Sequence, residues 1–237
     1  MSNPDQRVAV ITGASQGIGA GLVDAYRERG HAVVATSRGI APSQDPDVLA
    51  VRGDIADPAT AERVISAGLE RFGRIDTLVN NAGVFLSKPF HAYTQADYEM
   101  VTGINMSGFF RISQLAVEQM LRQGRGHIVQ ITTSLVDHAS SATPAVLASL
   151  TKGGLQSATK ALAIEYAGRG IRSNAVALGI IRTPMHSPES YGALGDLHPI
   201  GRVGEIQDVV DAVLYLDGAP FVTGEILHVD GGQSAGH

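Results

Sequence analysis

Short apolar runs rich in Val and Ile alternate with longer amphipathic stretches along the whole chain. The runs are typical of buried, mostly parallel strands, and they cover 7–12, 31–37, 48–52, 75–81, 127–133, 172–178 and 225–230. The amphipathic stretches predict helices. One begins with Asp57 as the N-cap and Pro58 in the first turn, and another is closed by Gly30. This alternation predicts a doubly wound α/β fold with helices on both faces of the sheet and a ligand crevice at the carboxyl ends of the strands.

One segment, 184–205, breaks this alternation, because it combines three prolines and four glycines between a strand and a helix. Its length predicts a long loop with a short helix inside it. Loops of this kind often close over a ligand, and a mobile surface loop is the alternative. We expect 184–205 to form a substrate-binding lid.

Composition narrows the class of protein. The chain has 237 residues, of which 44% are hydrophobic and 17% charged, which favours a single domain over 1–237. The net charge of −5 without a run of like charge argues against nucleic acid or an anionic membrane as a partner. Cysteine is absent, and the eight histidines show no paired spacing, so we predict no disulfide and no catalytic metal. Without an apolar leader or membrane span, a cytoplasmic location is expected.

A glycine-rich turn, TGASQGIG at 12–19, lies between the first strand and the first helix. Gly13 permits a tight turn, Gly17 lets the backbone approach phosphates, and Gly19 permits close packing of the helix. The helix dipole favours an anion at the same place. The turn therefore predicts dinucleotide binding, and the other residues expected beside the ligand are Ser15, Gln16 and Ile18.

The same turn resembles the TGxxxGxG motif of the classical short-chain dehydrogenase/reductase (SDR) family. Three further segments are similar to that family: NNAG at 80–83, Asn105 in INMSGFF, and FVTGEILHVDGG at 221–232. The resemblance implies a Rossmann fold with seven parallel strands and a nicotinamide dinucleotide as cofactor. It also implies a homotetramer or homodimer.

The resemblance implies further cofactor contacts. Asp54 and Ile55 match the pair that contacts adenine, although Asp54 is equally suited to cap the following turn. Leu178 stands where relatives usually carry proline, before Gly179. The remaining implied contacts are Asn81, Ala82, Gly83, Lys152, Gly179, Ile181 and Thr183.

The choice between the two nicotinamide cofactors depends on the end of the second strand. An acid there would accept a hydrogen bond from the ribose 2′-hydroxyl and repel a 2′-phosphate, and this chain has Ser37 and Arg38 instead. A guanidinium offers a planar set of donors suited to phosphate. NADP(H) is therefore favoured over NAD(H). The alternative is a solvated surface arginine, and Gln16 is not the basic residue often found at that position in NADP-using relatives.

A helix is predicted to begin at Thr143 and Pro144 and to stop at Gly168 and Gly170. Its Lys152 matches the lysine of the family's YxxxK motif, but position 148, where the tyrosine should stand, is Ala. In the family that tyrosine gives its proton to the substrate carbonyl oxygen, which a methyl group cannot do.

The remaining catalytic candidates are Asn105, Lys152 and an upstream hydroxyl, which is Ser134 or, as the alternative, Thr133. Lys152 could be only a ribose anchor, and Asn105 could simply satisfy local backbone. The substitute proton donor is open: His138 and Tyr191 rank before His186 and Tyr93, and a water or no acid at all are further alternatives.

These residues predict an NADP(H)-dependent oxidoreductase that acts on a small carbonyl, alcohol or imine without the usual tyrosine. Two other classes of function compete with it. One is a dinucleotide-binding sensor or partner protein without turnover, and the other is a non-redox enzyme on the same fold.

Overall fold

A parallel β-sheet forms the centre of the molecule. The computed structural model describes residues 6–185, 187, 189 and 191–236, and over these residues the sheet has seven strands in the order β3-β2-β1-β4-β5-β6-β7. Every pair of neighbouring strands is parallel. The strands are β1 Val8–Thr12, β2 Ala32–Ser37, β3 Val48–Arg52, β4 Thr77–Asn80, β5 Gly126–Thr133, β6 Ile171–Leu178 and β7 Ile226–Val229.

Helices cover both faces of this sheet. They are α1 Gly17–Glu28, α2 Pro58–Phe72, α3 Gln95–Thr102, α4 Gly108–Gln123, α5 Val146–Tyr166, α6 Tyr191–Gly195 and α7 Ile206–Gly218, with a π-helical turn, Gly103–Ser107, joining α3 to α4. Helices α1 and α7 pack on one face, and α2 and α4 pack on the other.

The alternation of side chains along each strand builds the two hydrophobic cores. In β1, Ala9 and Ile11 join the core under α1 and α7, whereas Val8 and Val10 join the core under α2 and α4. All five residues of β1 are buried. A strand that is buried on both faces forms a continuous apolar run in the sequence, and this is why the sequence shows β1 clearly.

The predicted fold class is confirmed, and the predicted strands lie within two residues of the observed ones. The start of α2 is also confirmed: Asp57 accepts a hydrogen bond from the Ala59 amide at 3.0 Å, and Pro58 is the first helical residue. The described helices include none long and apolar enough to cross a membrane. In the same part of the chain, no group of three or more His, Asp or Glu residues is arranged to hold a metal ion.

The predicted start of α5 is wrong. The helix begins at Val146, with Ala145 at the N-cap and no side-chain cap. The carbonyl of Pro144 instead accepts hydrogen bonds from the Lys88 amide at 3.1 Å and from Ser87 Oγ at 3.0 Å. Because that carbonyl is used by a segment far away in sequence, the first turn of the helix forms two residues later.

Candidate functional site

A cavity of about 620 Å³ opens at the carboxyl ends of the strands. Its walls come from the turns that follow β1 to β6, from α5, and from the segment after β6. That segment contains α6 and contributes four residues to the lining of the cavity: Pro184, Met185, Leu194 and Leu197. The closing of this segment as a lid stays a prediction.

The glycine-rich turn forms one end of the cavity. Gly13 and Gly17 have φ of +66° and +57°, in the left-handed region that favours glycine. A Cβ at Gly19 would lie 2.2 Å from the Gly13 carbonyl oxygen, so only glycine fits there. Asn81 Nδ2 donates to the carbonyl oxygens of Thr12 and Gly13 at 2.9 and 3.2 Å and fixes the turn. The turn leads into α1, and this arrangement fits the diphosphate of a dinucleotide.

The adjoining wall is formed by the ends of β2 and β3. The Arg38 guanidinium is exposed and makes no hydrogen bond or ion pair with any described residue, and Ser37 lies beside it. Asp54 and Ile55 line the same wall. Asp54 Oδ1 accepts from the Ala56 amide at 3.0 Å, so this carboxylate caps its own turn while its residue faces the cavity.

Lys152 lies at the other end of the cavity. Its Nζ donates to the Ile131 carbonyl at 2.7 Å, and burial lowers the pKa of the ammonium to about 8. A Cβ at Gly83 would lie 2.8 Å from this Nζ, so glycine leaves the room that the ammonium occupies.

Asn105 stands in the π-helical turn between α3 and α4 and is almost fully buried. Its Oδ1 accepts from the Val84 amide at 2.9 Å, and its Nδ2 donates to the Val84 carbonyl at 3.0 Å and to Thr151 Oγ1 at 3.2 Å. The side chain therefore satisfies both backbone groups of Val84, and whether it also has a catalytic role stays open. It also joins the turn after β4 to α5 beside Lys152.

Ala148 lies one helical turn before Lys152, is 2% exposed, and lines the cavity. Residues i and i+4 share a face of a helix, so a tyrosine at 148 would stand on the face that carries Lys152. Ala148 packs instead in a small apolar cluster with Leu135 and Ala145.

Both candidate hydroxyls follow β5 and line the cavity. Ser134 is fully buried, and its Oγ lies 2.8 Å from Gln233 Oε1 and 3.2 Å from the Leu178 carbonyl. Thr133 is half-buried; its Oγ1 accepts from the Leu135 amide at 3.3 Å and lies 3.4 Å from the Leu178 carbonyl. The choice between Ser134 and Thr133 as the active-site hydroxyl stays open.

Of the four substitute acids named from the sequence, the three that the structure describes do not line the cavity. Among the described residues that line it there is no tyrosine and no histidine. Tyr93 donates to the Leu86 carbonyl at 2.7 Å, and Tyr191 donates to the Thr183 carbonyl at 3.3 Å. His138 also lies outside the lining, and His186 is outside the described residues.

Gln233 and His198 are among the residues at the site that were not anticipated from the sequence. Gln233 lines the cavity from the C-terminal turn, one residue beyond the segment that resembles the SDR family. His198 is buried behind Gly179; its Nε2 accepts from the Ile180 amide at 3.0 Å, and its Nδ1 lies 3.1 Å from the Leu194 carbonyl. Neither residue belongs to a motif or a periodic pattern, so no sequence signal marked them.

Comparison with known proteins places this α/β dinucleotide site in a family. The family model described as enoyl-(acyl carrier protein) reductase matches residues 13–234. The 3-oxoacyl-(acyl-carrier-protein) reductase FabG of Escherichia coli strain K12 is 34% identical over 243 residues, covering 98% of each chain. The 2-(R)-hydroxypropyl-CoM dehydrogenase of Xanthobacter autotrophicus is 36% identical over 249 residues, covering 97% of this chain and 99% of that protein.

Solved structures agree with this comparison. The 3-ketoacyl-(acyl-carrier-protein) reductase of Brucella melitensis, complexed with NADH, superposes with a TM-score of 0.90 at 28% identity, covering 98% of this chain and 100% of that one. ElxO with NADP bound gives the same TM-score at 27% identity and the same coverage. The chain therefore belongs to the short-chain dehydrogenase/reductase family of NAD(P)-dependent oxidoreductases.

Proposed function

We propose that this protein is an NADP(H)-dependent oxidoreductase that acts on a small carbonyl, alcohol or imine without the usual catalytic tyrosine. One observation carries the proposal: Lys152, Ser134 and Thr133 line the cavity, while the position one turn before Lys152 is occupied by Ala148. The cavity therefore keeps the groups that would bind cofactor and polar substrate and has a methyl group where the family has its acid.

The chemistry left to this chain follows from that set of residues. When bound, the reduced nicotinamide supplies a hydride to the substrate carbon. The electron pair of a C=O bond then moves to oxygen, which must take up a proton. Among the described residues that line the end of the cavity near Ala148, Lys152 is the titratable group. Burial lowers its pKa to about 8, so it is largely protonated at neutral pH and can supply this proton. An iminium substrate needs no acid, because the pair moves to a nitrogen that already carries its proton.

The cofactor preference is part of the proposal. Arg38 would hold the 2′-phosphate of NADP(H). This is supported by its exposed guanidinium, which has no hydrogen-bond or ion-pair partner among the described residues, and by the adjacent Ser37. We expect Arg38→Asp to weaken NADPH binding by tenfold or more while NADH binding changes little, measured by fluorescence titration. Equal weakening of both would remove Arg38 from the phosphate site.

The decisive experiment is NADPH consumption by the purified protein with ketones, aldehydes and cyclic iminium ions, with Lys152→Ala as the control. We expect turnover of a ketone or aldehyde, and we expect Lys152→Ala to reduce it at least a hundredfold if the ammonium supplies the proton. The reduction should be smaller for an iminium. A silent panel with intact NADPH binding would contradict it.

A binding protein without turnover is the second candidate, since the Ser134 hydroxyl is already engaged with Gln233 and the Leu178 carbonyl. Such a protein binds NADPH, consumes none, and shows only a change of affinity in Lys152→Ala. A non-redox enzyme would instead convert a substrate without consuming the cofactor.

We also propose that the chain forms a homotetramer or homodimer. Large apolar side chains stand exposed on α4 and α5, among them Phe110 at 64%, Leu150 at 54% and Ile164 at 84%. A second copy of the chain would cover such faces. Light scattering at micromolar concentration is expected to give at least twice the mass of 24.8 kDa, and a monomer would reject the assembly.

A further inference from the structure

The C-terminal turn holds one side chain rigidly at the cavity. Both oxygens of the Asp230 carboxylate accept backbone hydrogen bonds, Oδ1 from the Gly232 amide at 3.0 Å and Oδ2 from the Ser234 amide at 2.9 Å. The backbone N–H of Gln233 donates in turn to the Asp230 carbonyl at 3.1 Å. These bonds fix the backbone on both sides of Gln233, so its side chain enters the cavity from a fixed point.

One end of the Gln233 side chain is hydrogen-bonded to the protein, and the other end is left to the cavity. It is only 7% exposed, and its Oε1 accepts from the fully buried Ser134 hydroxyl at 2.8 Å. Its Nε2 makes no hydrogen bond with any described residue, although the residue lines the cavity. A primary amide carries two N–H donors. In Gln233 they are left to the open cavity, where water or a bound ligand can accept from them.

A ligand that offers an oxygen acceptor would satisfy these donors. We propose that Gln233 is a substrate-binding residue whose Nε2 donates a hydrogen bond to the carbonyl oxygen of the substrate, or to the hydroxyl oxygen in the reverse reaction. Ser134 holds the opposite end of the amide and so orients the donor. This inference rests on the proposed function and assigns the polar contact at the end of the cavity where Ala148 supplies only a methyl group.

The chemistry of an amide limits this role. An amide N–H donates a hydrogen bond but does not release its proton near neutral pH, so Gln233 can orient and polarise a carbonyl without acting as its acid. The proton for a carbonyl substrate must then come from Lys152 or from water. For an iminium, which carries no lone pair on nitrogen, the Nε2 donor offers no benefit.

Two variants test the hydrogen-bond donor and the hydrogen-bond acceptor of the Gln233 side chain. Gln233→Met keeps the length of the side chain and removes both polar ends, whereas Gln233→Glu can still accept from Ser134 but cannot donate to substrate. Gln44→Glu, in the exposed loop between β2 and β3, controls for the added charge. The probes are ethyl acetoacetate as the ketone and protonated 2-methyl-1-pyrroline as the iminium, each assayed with NADPH.

Both Gln233 variants are expected to lose about tenfold in kcat/KM for ethyl acetoacetate, with unchanged NADPH affinity and melting temperature. With the iminium, Gln233→Glu should match or exceed the unmodified protein, because a carboxylate attracts the cation. Variants within twofold of the unmodified protein on the ketone would overturn the inference while leaving the oxidoreductase proposal standing.

A binding measurement tests the role of Gln233 without any turnover. If the unmodified protein reduces neither probe, binding of ethyl acetoacetate to the complex with NADP⁺ is measured by saturation-transfer NMR. Binding that Gln233→Met abolishes would support the substrate contact although the proposed activity fails. No binding, or equal binding by both proteins, would overturn it.

Discussion

At the scale of single residues, position 148 decides what the cavity can do. Ala148 is buried against Leu135 and Ala145 on one side and faces the cavity on the other. We expect a larger side chain at this position to extend toward the open volume of the cavity. Substitution at position 148 can therefore test whether the site lacks only an acid and whether the rest of it is still arranged for carbonyl reduction.

Ala148→Tyr is expected to raise kcat for ethyl acetoacetate by about a hundredfold or more, the usual effect of a positioned general acid. The neighbouring Lys152 ammonium would stabilise the ionised phenol and lower its pKa toward neutrality. Ala148→Phe, with the same bulk and no hydroxyl, is the matched control. Equal rates for the two variants, measured by NADPH consumption, would show that the cavity no longer aims a carbonyl at this position.

At the scale of elements, the ring of His198 is one of the contacts that connect the segment after β6 to the end of that strand. His198 accepts from the Ile180 amide through Nε2, and its Nδ1 faces the Leu194 carbonyl, so the neutral ring with its proton on Nδ1 satisfies both contacts. A Cβ at Gly179 would lie 2.6 Å from Nε2, so the backbone passes directly against the ring. The ring therefore helps to fix the turn of 179–181, together with backbone hydrogen bonds to Val229 and from Gly204.

His198→Phe should leave the Ile180 amide without an acceptor and lower the free energy of unfolding by about 1–3 kcal/mol. NADPH affinity should fall with it, because the turn at 179–181, which lines the cavity, would lose one of the hydrogen bonds that hold it. His198→Gln, whose Oε1 can take the place of Nε2, is the conservative control and should recover most of both losses. Urea unfolding and fluorescence titration test this, and a stable, tightly binding His198→Phe protein would contradict it.

The elements also show where reasoning from the sequence succeeds. Strands such as β1 and the glycine turn at 12–19 are set by local periodicity and backbone sterics, which a sequence displays directly. The start of α5 depends on the Pro144 carbonyl being used by Ser87 and Lys88. Gln233 reaches Ser134 across 99 residues of chain. Contacts of this range are decided by packing, so neither the helix start nor the Gln233 contact could be predicted.

At the scale of the whole molecule, a buried polar network lies toward the amino ends of the strands. His127 Nδ1 is 3.3 Å from Asp217 Oδ1, and its Nε2 is 3.0 Å from Asn174 Nδ2. Because Asn174 Oδ1 accepts from the Glu225 amide, its Nδ2 faces the ring, so Nε2 is an acceptor and His127 is neutral. Burial lowers the pKa of His127, although the Asp217 hydrogen bond offsets part of this effect.

This network predicts a loss of stability in mild acid. His127 has a lower pKa in the folded chain than its value of about 6.5 when unfolded, so its contribution is complete above that pH and declines as the pH falls below it. Burial raises the pKa of Asp217, but the hydrogen bonds from His127 and Thr77 and the charge of Arg7 outweigh it and hold the pKa far below its usual value. That carboxylate therefore matters only in stronger acid.

Urea unfolding between pH 7.5 and 5.5 measures the effect. The free energy of unfolding of the unmodified protein should fall more steeply than that of His127→Gln, which keeps a donor and an acceptor but does not titrate. Other groups that titrate in this range, such as His31, whose pKa is also lowered by burial, contribute equally to both proteins. Parallel curves would show that His127 takes up no proton on unfolding.

The parallel sheet separates this network from the cavity. Thr133 stands six residues beyond His127 along β5, which at the usual rise of a strand is about 20 Å. Substitutions so far apart, with no shared partner, have effects that add. Acid tolerance and substrate range can therefore be evolved in separate libraries, one confined to each end of the strands, and the best members of each combined in a single chain.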